Sequence, residues 1–484
     1  MKKNFFPIQN QLQYSRKIRK HYDHRITNMT PKMRRAKSYY HTRMIRVFKH
    51  LIPKGKRILE IGCGEGKTLA ALSPSFGVGI DISKETICRA RDKHPNIHFF
   101  QHDAHELGIK GSFDYIILSD LINDLWDVRY VFSQLKSLCH RRTRIIINFY
   151  SRLWGFPLWL AQKLNLAASY PPQNWLTESD VTNLLDLSGF ETMGIWQELL
   201  MPVRIPLLSQ WINRFFIRIW PLNNFAMTNM IMARMKTDFS KQLSFKPSVS
   251  VIIPARNEAG NIRALIQRTP EMGTSTEIIF VEGGSDDNTW QTINQEINLH
   301  PNRQCRAFQQ NGHGKGDAVR MGFREAKGDI LMILDADISV APEDLRMFFD
   351  VLCQNHGDMV NGVRLVYPMD EKAMRFWNFL GNKFFSLAFT WLLGQPIKDT
   401  LCGTKILWKS DYQEIEANRQ YFGNIDPFGD FDLLFGAVKQ NLKIVDLPIR
   451  YRERTYGKTN INRWKHGWLL LKMMKHAAMK IKFL

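Results

Sequence analysis

A chain of 484 residues, 44% hydrophobic and 12% aromatic, is too long for one ordinary core and is sized for two globular domains. Its six cysteines (Cys63, Cys88, Cys139, Cys305, Cys353, Cys402) form no C-x-x-C pair, which counts against a disulfide framework or a thiolate zinc site and points to a reducing, cytosolic compartment. The net charge of +22 lies at the two ends: residues 1–50 hold 14 Lys and Arg against Asp23 alone, and residues 450–484 hold 10 against Glu453 alone.

The opening "MKKNFFPIQNQLQYSRKIRK" has basic residues but no apolar core followed by small residues, so no cleaved export signal is expected. Basic runs of this kind are either solvated tails or surfaces for an anionic partner, phospholipid or nucleic acid. At the other end, "INRWKHGWLLLKMMKHAAMKIKFL" interleaves Trp, Leu and Met with Lys at helical spacing, which favours lipid. The apolar stretch "FWNFLGNKFFSLAFTWLLG" (376–394) is interrupted by Asn378, Asn382 and Lys383. A membrane span needs about 20 mostly apolar residues, so the stretch reads as an amphipathic segment, buried or at an interface.

In chain order, "KRILEIGCGEGKTLAAL" predicts a strand, a glycine turn and a helix, and "FGVGIDIS" predicts a second strand ending in Asp81. "IHFFQHDAHEL", "FDYIILSDLIN" and "RRTRIIINFY" supply three further strands. Alternating strands and helices argue a parallel sheet with helices on both faces, in which ligands bind at the carboxyl ends of the strands. The glycine loop is not a P-loop, because only three residues separate Gly62 from Gly66-Lys67-Thr68. Nor is it G-x-G-x-x-G, since the glycines fall at 62, 64 and 66.

The G-x-G-x-G loop, with Asp81 following 19 positions after Gly62, resembles that of Rossmann-like S-adenosylmethionine-dependent methyltransferases. The resemblance implies that Gly62, Gly64 and Gly66 admit the methionyl part of the cofactor and that Asp81 accepts the ribose hydroxyls. It places Glu60 near the amino group, Asp103 and Ala104 beside the adenine, and Ser119 with Asp120 beside the methyl. His105, Asp120 and Asp124 are candidate bases, or ordinary loop and helix-start residues. Residues 151–236 are expected to close the sheet and cover the cofactor.

After the polar linker "TDFSKQLSFKPS", "VSVIIPARNEAGNI" and "EIIFVEGGSDDNTW" repeat the strand, loop and helix plan, followed by "GHGKGDAVRMGFREAKG" and "DILMILDADIS". Over roughly 248–460 this order resembles inverting GT-A glycosyltransferases of the dolichol- and polyprenyl-phosphate sugar transferase type. Two carboxylates at i and i+2 on a strand end can reach one divalent cation, Mg or Mn, that neutralises a leaving diphosphate. The resemblance puts Asp335 near the ribose and makes Asp337 the principal metal ligand.

The same resemblance assigns Pro254, Arg256, Asn257 and Glu258 to the first nucleotide-binding loop. Glu282, followed by Gly283, stands where the family usually keeps two acids, and Lys315 and Arg320 are candidates at the donor. Arg364 fits the acceptor phosphate, although Val363 replaces a usual Ser, and Arg375 is a second phosphate candidate. "GDFDLLFGAV" holds Asp430 and Asp432 where many members keep the catalytic acid pair. Arg454 and Lys458 in "RERTYGKTNI" are aimed at the diphosphate.

The expected fold class is α/β, with two doubly wound domains: a basic segment at 1–39, a methyltransferase domain at 40–236, a linker at 237–247 and a GT-A domain at 248–484. The expected function is a bifunctional transferase that uses S-adenosylmethionine and, with a divalent cation, a nucleotide sugar. Its glycosyl acceptor would be a polyprenyl phosphate or a glycan, in surface glycan or glycolipid synthesis at the cytoplasmic face of a membrane reached through the basic ends. The alternative is an RNA-binding methyltransferase carrying a degenerate glycosyltransferase-like module. Nucleic acid is disfavoured because the basic arm lacks repeated aromatic platforms. The oligomeric state is left open.

Overall fold

The computed structural model describes residues 11–25, 31–164, 171, 173–236, 246–364, 366–367, 376–421, 429–452, 456 and 463–483. The chain divides into two compact units, Met1–Thr237 and Asp238–Phe483.

The first unit contains β1 (Arg57–Ile61), β2 (Phe76–Asp81), β3 (His98–Gln101), β4 (Phe113–Ser119), β5 (Cys139–Tyr150), β6 (Phe190–Glu198) and β7 (Thr228–Met235). They lie across one sheet in the order β3-β2-β1-β4-β5-β7-β6. The first five are parallel, and β7 runs antiparallel to both neighbours. The near-continuous apolar runs of the sequence follow from a sheet covered on both faces. Ile145 and Ile147 pack into one layer with Leu59, Ile61, Ile116 and Leu118, and Ile146 packs into the other with Ile58, Tyr115 and Ile117.

Three helices of this unit begin at a side-chain cap that the sequence supplies. Ser83 Oγ accepts the Thr86 N–H (3.3 Å) at the helix Lys84–Lys93, and Asp127 accepts the Tyr130 N–H (2.9 Å) at Val128–Leu135. Thr177 and Asp180 form a reciprocal capping box at Glu178–Leu187. Each such cap is worth about 1 kcal/mol.

The N-terminal basic helices Gln11–Arg25 and Pro31–Leu51 pack into this unit. Tyr14, Ile18, Tyr40, Met44, Val47 and Phe48 are buried. Some of the N-terminal charge is also internal, because Arg43 lies 2.9 Å from the buried Glu198, which Arg218 approaches at 2.5 Å. Burial alone would raise the Glu198 carboxyl, but the two guanidiniums hold it below its usual range.

The second unit contains β8 (Val249–Ala255), β9 (Thr276–Glu282), β10 (Gln304–Gln309), β11 (Ile330–Ile333), β12 (Met359–Val363), β13 (Lys405–Trp408) and β14 (Ile444–Pro448). Their order is β10-β9-β8-β11-β13-β12-β14, with β13 antiparallel to β11 and β12 and the remaining pairs parallel. Leu331 and Ile333 join one layer and Ile330 and Met332 the other. Both sheets are therefore mixed, where simple alternation predicts a parallel sheet. The sequence order of strand and helix does not record the direction in which a late strand inserts.

The segment 376–394 forms the helix Phe376–Leu393, which buries Phe389 and Leu392 and exposes Phe384, Leu387 and Trp391. The helix Arg463–Ile481 buries Leu470, Met473 and Ala477, so one side of the basic C-terminal stretch belongs to the core. No described helix is long and apolar enough to cross a membrane. All six cysteines are free.

Candidate active sites

In the first unit a cavity of ≈ 1260 Å³ opens at the carboxyl ends of β1, β2 and β4. Ligand pockets commonly span about 300–1,000 Å³, so this one has room for two molecules. All three loop glycines have left-handed backbones, with φ of 77° at Gly62, 52° at Gly64 and 72° at Gly66. A Cβ on Gly66 would strike the Phe99 ring, whereas one on Gly64 would meet no atom within 4 Å. Gly66 is thus required by packing, and Gly64 leaves its backbone bare toward the cavity.

Asp81 ends β2 with one oxygen accepting the Gly64 N–H (2.9 Å) and the other the Ser83 N–H (2.9 Å). Its carboxyl is raised by burial despite these bonds. Glu60 is buried, and its Oε2 has no hydrogen-bond partner. Burial pushes Glu60 up to about 8, with Asp81 adding to the shift. A buried carboxylate with an unpartnered oxygen beside an open cavity suits a cationic ligand group.

Asp103 and Ala104 line the same cavity. Burial raises the Asp103 carboxyl, but the hydrogen bonds from His105 outweigh this and bring it down to about 2. His105 Nδ1 lies 2.8 Å from Asp103 Oδ1, and His105 Nε2 accepts the Asp127 N–H at 3.1 Å. This fixes the proton on Nδ1 and commits the Nε2 lone pair, so the ring holds the loop and offers no base.

Ser119 and Asp120 stand at the end of β4, also on the cavity wall. Asp120 is held at φ 53°, a costly value for a residue with a side chain. Its Oδ1 accepts Tyr40 Oη–H (2.5 Å) and Asn148 Nδ2–H (2.6 Å). Asp124 accepts from Tyr22. The helix Gln11–Arg25 contributes Tyr14, Ser15, Ile18 and Tyr22 to the wall, so the N-terminal helices partly enclose the site.

In the second unit Asp335 and Asp337 follow β11. Asp335 Oδ1 lies 2.5 Å from Lys315 Nζ, and Asp337 Oδ1 accepts the Ser339 N–H at 3.0 Å. Burial would raise Asp335, but the Lys315 charge outweighs it, with Lys405 and Arg364 contributing, and holds the carboxyl below its usual range. Burial works against the Lys315 ammonium, and the Asp335 and Asp430 charges raise it nonetheless. A Cβ on Gly403 would enter this ion pair, so the glycine leaves the pair its space.

Pro254 lies in β8 and Arg256 is exposed just beyond it. Glu258 is buried, with Oε2 accepting from Asn261 (2.7 Å) and its N–H donating to Thr289 Oγ1 (2.9 Å). Glu282 ends β9, buried, and accepts the Ser285 N–H at 2.5 Å. Arg364 forms a two-pronged pair with the fully buried Asp399, at 2.7 Å through Nε and 2.9 Å through Nη2.

The structure separates the two expected acids. Asp430 is buried 2.9 Å from Lys405 Nζ, on the side facing Lys315. Asp432 instead faces Arg419 (3.1 Å) and Arg320 (3.6 Å) around another cavity, so Arg320 is not gathered with Asp335 and Asp337. Burial raises Asp432 despite these guanidiniums. Arg375, Arg454 and Lys458 lie outside the described residues.

Residues 58–141 match the profile described as Methyltransferase domain, and residues 250–415 match Glycosyl transferase family 2. The chain joins a methyltransferase domain to a family 2 glycosyltransferase domain.

A dolichol-phosphate mannosyltransferase from Pyrococcus furiosus is 27% identical over 240 residues, 49% of this chain and 64% of the relative. Glycosyltransferase AglJ from Haloferax volcanii is 25% identical across 46% of this chain and 69% of its own. An undecaprenyl-phosphate 4-deoxy-4-formamido-L-arabinose transferase from Pseudomonas aeruginosa is 26% identical, covering 36% and 50%. The chain thus spans about half to two thirds of the length of these curated relatives. Among solved structures, a methyltransferase from Thermotoga maritima is 16% identical with a TM-score of 0.36, covering 45% of this chain and 99% of its own. Glucosyl-3-phosphoglycerate synthase from Mycobacterium tuberculosis is 16% identical with a TM-score of 0.37, covering 51% and 83%.

Several partners in these domains escape a sequence reading. Tyr40 and Asn148 in the methyltransferase domain, and Lys405 and Asp399 in the glycosyltransferase domain, are far in sequence from the charged side chains they hold. The one local signal was a lysine inside the apolar strand "GTKILW". No three His, Cys, Asp or Glu converge as a metal-holding group among the described residues. Asp335 and Asp337 offer two hard oxygen ligands, which fit a cation that takes its other ligands from phosphates and water.

Proposed function

We propose that the protein is a bifunctional transferase. Residues 40–236 would transfer a methyl group from S-adenosylmethionine, and residues 248–484 a sugar from a nucleotide sugar to a polyprenyl phosphate. In the first domain Glu60 takes the cofactor's amino group and Asp81 its ribose hydroxyls, with Asp103 and Ala104 at the adenine and the loop glycines along the methionyl part. The bound cofactor supplies an electrophilic methyl on a sulfonium. Ser119 and Asp120, on the cavity wall at the end of β4, would lie beside that methyl and help position the acceptor.

In the second domain Pro254, Arg256, Glu258 and Glu282 hold the nucleoside, and Lys315 meets the donor phosphates. Asp335 and Asp337 hold a divalent cation, Mg or Mn, which neutralises the leaving diphosphate. An acceptor phosphate oxygen attacks the anomeric carbon while the bond to the diphosphate breaks, and the nucleoside diphosphate leaves with the electron pair. Arg364, Arg375, Arg454 and Lys458 are the guanidinium and ammonium groups assigned to the acceptor and diphosphate.

The observation that carries the acceptor class is the placement of Asp430 and Asp432, the first buried against Lys405 and the second facing Arg419 and Arg320 at another cavity. A sugar hydroxyl needs a base to remove its proton, whereas an ionised phosphate does not. The relatives named for dolichol and undecaprenyl phosphate support the same class. Such an acceptor would put the reaction at a membrane, and the excess of Lys and Arg at both ends of the sequence supports an approach to its inner face.

The test is donor binding and hydrolysis by the full chain over a panel of nucleotide sugars with Mn²⁺ or Mg²⁺, wild type against Asp337→Ala. Metal-dependent turnover lost in the variant is expected. No metal-dependent response to any donor would overturn the glycosyltransferase half.

A further inference from the structure

We infer that the methyltransferase domain carries its own lipid-docking face, formed by residues 152–164 and 203–225 at the mouth of its cavity. The inference rests on reading that cavity as the methyl-transfer site. Both segments project large apolar side chains into solvent. Phe156 is 69% exposed, Trp159 43%, Leu207 75%, Trp211 61%, Trp220 79% and Phe225 61%. The helix Gly155–Lys163 turns Leu158 toward the core but fully buries none of its residues, so packing leaves the exposed Phe156, Trp159 and Leu160 unexplained.

The two segments meet, because Trp154 Nε1–H donates to the Phe225 carbonyl at 2.9 Å. They also share the cavity wall, through Trp154, Pro157 and Leu158 of the first segment and Val203 of the second. Scattered apolar residues on a surface need no explanation, but two touching segments that each expose aromatic rings and each reach the cavity wall do.

Charge selects the occupant. Residues 151–164 and 199–226 contain no Asp or Glu. Arg152, Lys163, Arg204 and Arg214 are exposed among the apolar groups, and Lys163 Nζ lies 4.1 Å from the centre of the Trp159 ring. Asp180, on the helix Glu178–Leu187, feels the charge of Arg152, but neither segment carries an acid of its own, and indole and phenyl rings interspersed with long cationic stems match an anionic bilayer surface: rings enter the headgroup boundary while the cations stay with phosphate. A methyl acceptor borne on a lipid would then reach the cavity without leaving the membrane. Its residues lie outside the two basic ends of the sequence.

The experiment is vesicle co-sedimentation of the full chain, using phosphatidylcholine with and without phosphatidylglycerol. The variants are Phe156→Ser/Trp211→Ser/Trp220→Ser, Arg152→Gln/Lys163→Gln/Arg204→Gln, and Lys472→Gln/Lys475→Gln on the C-terminal helix. Wild type is expected to bind anionic vesicles. The apolar variant should lose about tenfold or more, given the transfer energy of three aromatic side chains, while still binding S-adenosylmethionine in calorimetry. The basic variant should lose its preference for phosphatidylglycerol. Equal binding by wild type and the apolar variant, or loss only in the C-terminal variant, overturns the inference. So does a wild type that ignores both vesicles while the apolar variant turns from dimer to monomer in sedimentation, which would assign the face to a second copy. If S-adenosylmethionine fails to bind wild type, the methyl-transfer reading fails separately.

Discussion

Lys405 Nζ lies 2.9 Å from Asp430 Oδ1, with both side chains buried. A charge stranded in such a place costs about 3–5 kcal/mol. Lys405→Met is therefore expected to lower unfolding stability by about that amount in urea titration. Lys405→Met/Asp430→Leu should recover most of the loss, because no lone charge remains. A single variant as stable as wild type would show that the pair does not hold the fold.

Asp432 bears on the acceptor. If the nucleophile is a phosphate, Asp432→Asn should change kcat by less than about tenfold, whereas loss of a general base costs about 10²–10⁴-fold. Single-turnover rates with a polyprenyl-phosphate acceptor make the comparison. A drop of the larger size would restore Asp432 as the base and favour a hydroxyl acceptor.

Glu60 predicts a pH dependence of known sign. Its folded value of about 8 stands above the ordinary 4.5, so its contribution to the ligand-free protein is fully present below about 4.5 and is lost as pH rises through about 8. S-adenosylmethionine, with its ammonium beside the carboxylate, should bind more tightly as pH rises through the same window and should release a proton. Glu60→Gln should flatten both slopes and weaken binding about tenfold or more, the value of a charged hydrogen bond. Calorimetry in buffers of different ionisation enthalpy measures the proton.

Lys315 holds Asp335 ionised against the cost of burial. In Lys315→Met the carboxyl should titrate at higher pH, so metal-dependent donor binding should fail at higher pH than in wild type. Donor affinity at neutral pH should also fall, for want of the ammonium at the phosphates. A binding profile with an unchanged acid limb would show that Lys315 does not govern Asp335.

What the sequence disclosed was local. Gly62, Gly64 and Gly66 needed left-handed backbone, Asp81 had to end an apolar run, and Asp335 and Asp337 had to interrupt one, so each could be read from its neighbours. What escaped was chosen by partners brought together only by folding. Tyr22 meets Asp124, Arg43 meets Glu198 and Lys405 meets Asp430 across 102, 155 and 25 residues. Charge counting likewise assigned Arg43 to a basic end, though it is buried against a carboxylate. Apolar residues 153–164 read as cover for the cofactor, and exposure alone distinguishes cover from a bare face.

The placement of β7 dictates an order of synthesis. Because Thr228–Met235 inserts between β5 and β6, β5 lacks its second neighbour and β6 lacks the strand it pairs with until β7 leaves the ribosome. Until then the nascent chain carries an open, apolar sheet edge, the kind of surface that aggregates or recruits a chaperone. A chain stopped before Thr228 is expected to be insoluble. One stopped after Met235 has every strand of its first sheet before any residue of the second is translated.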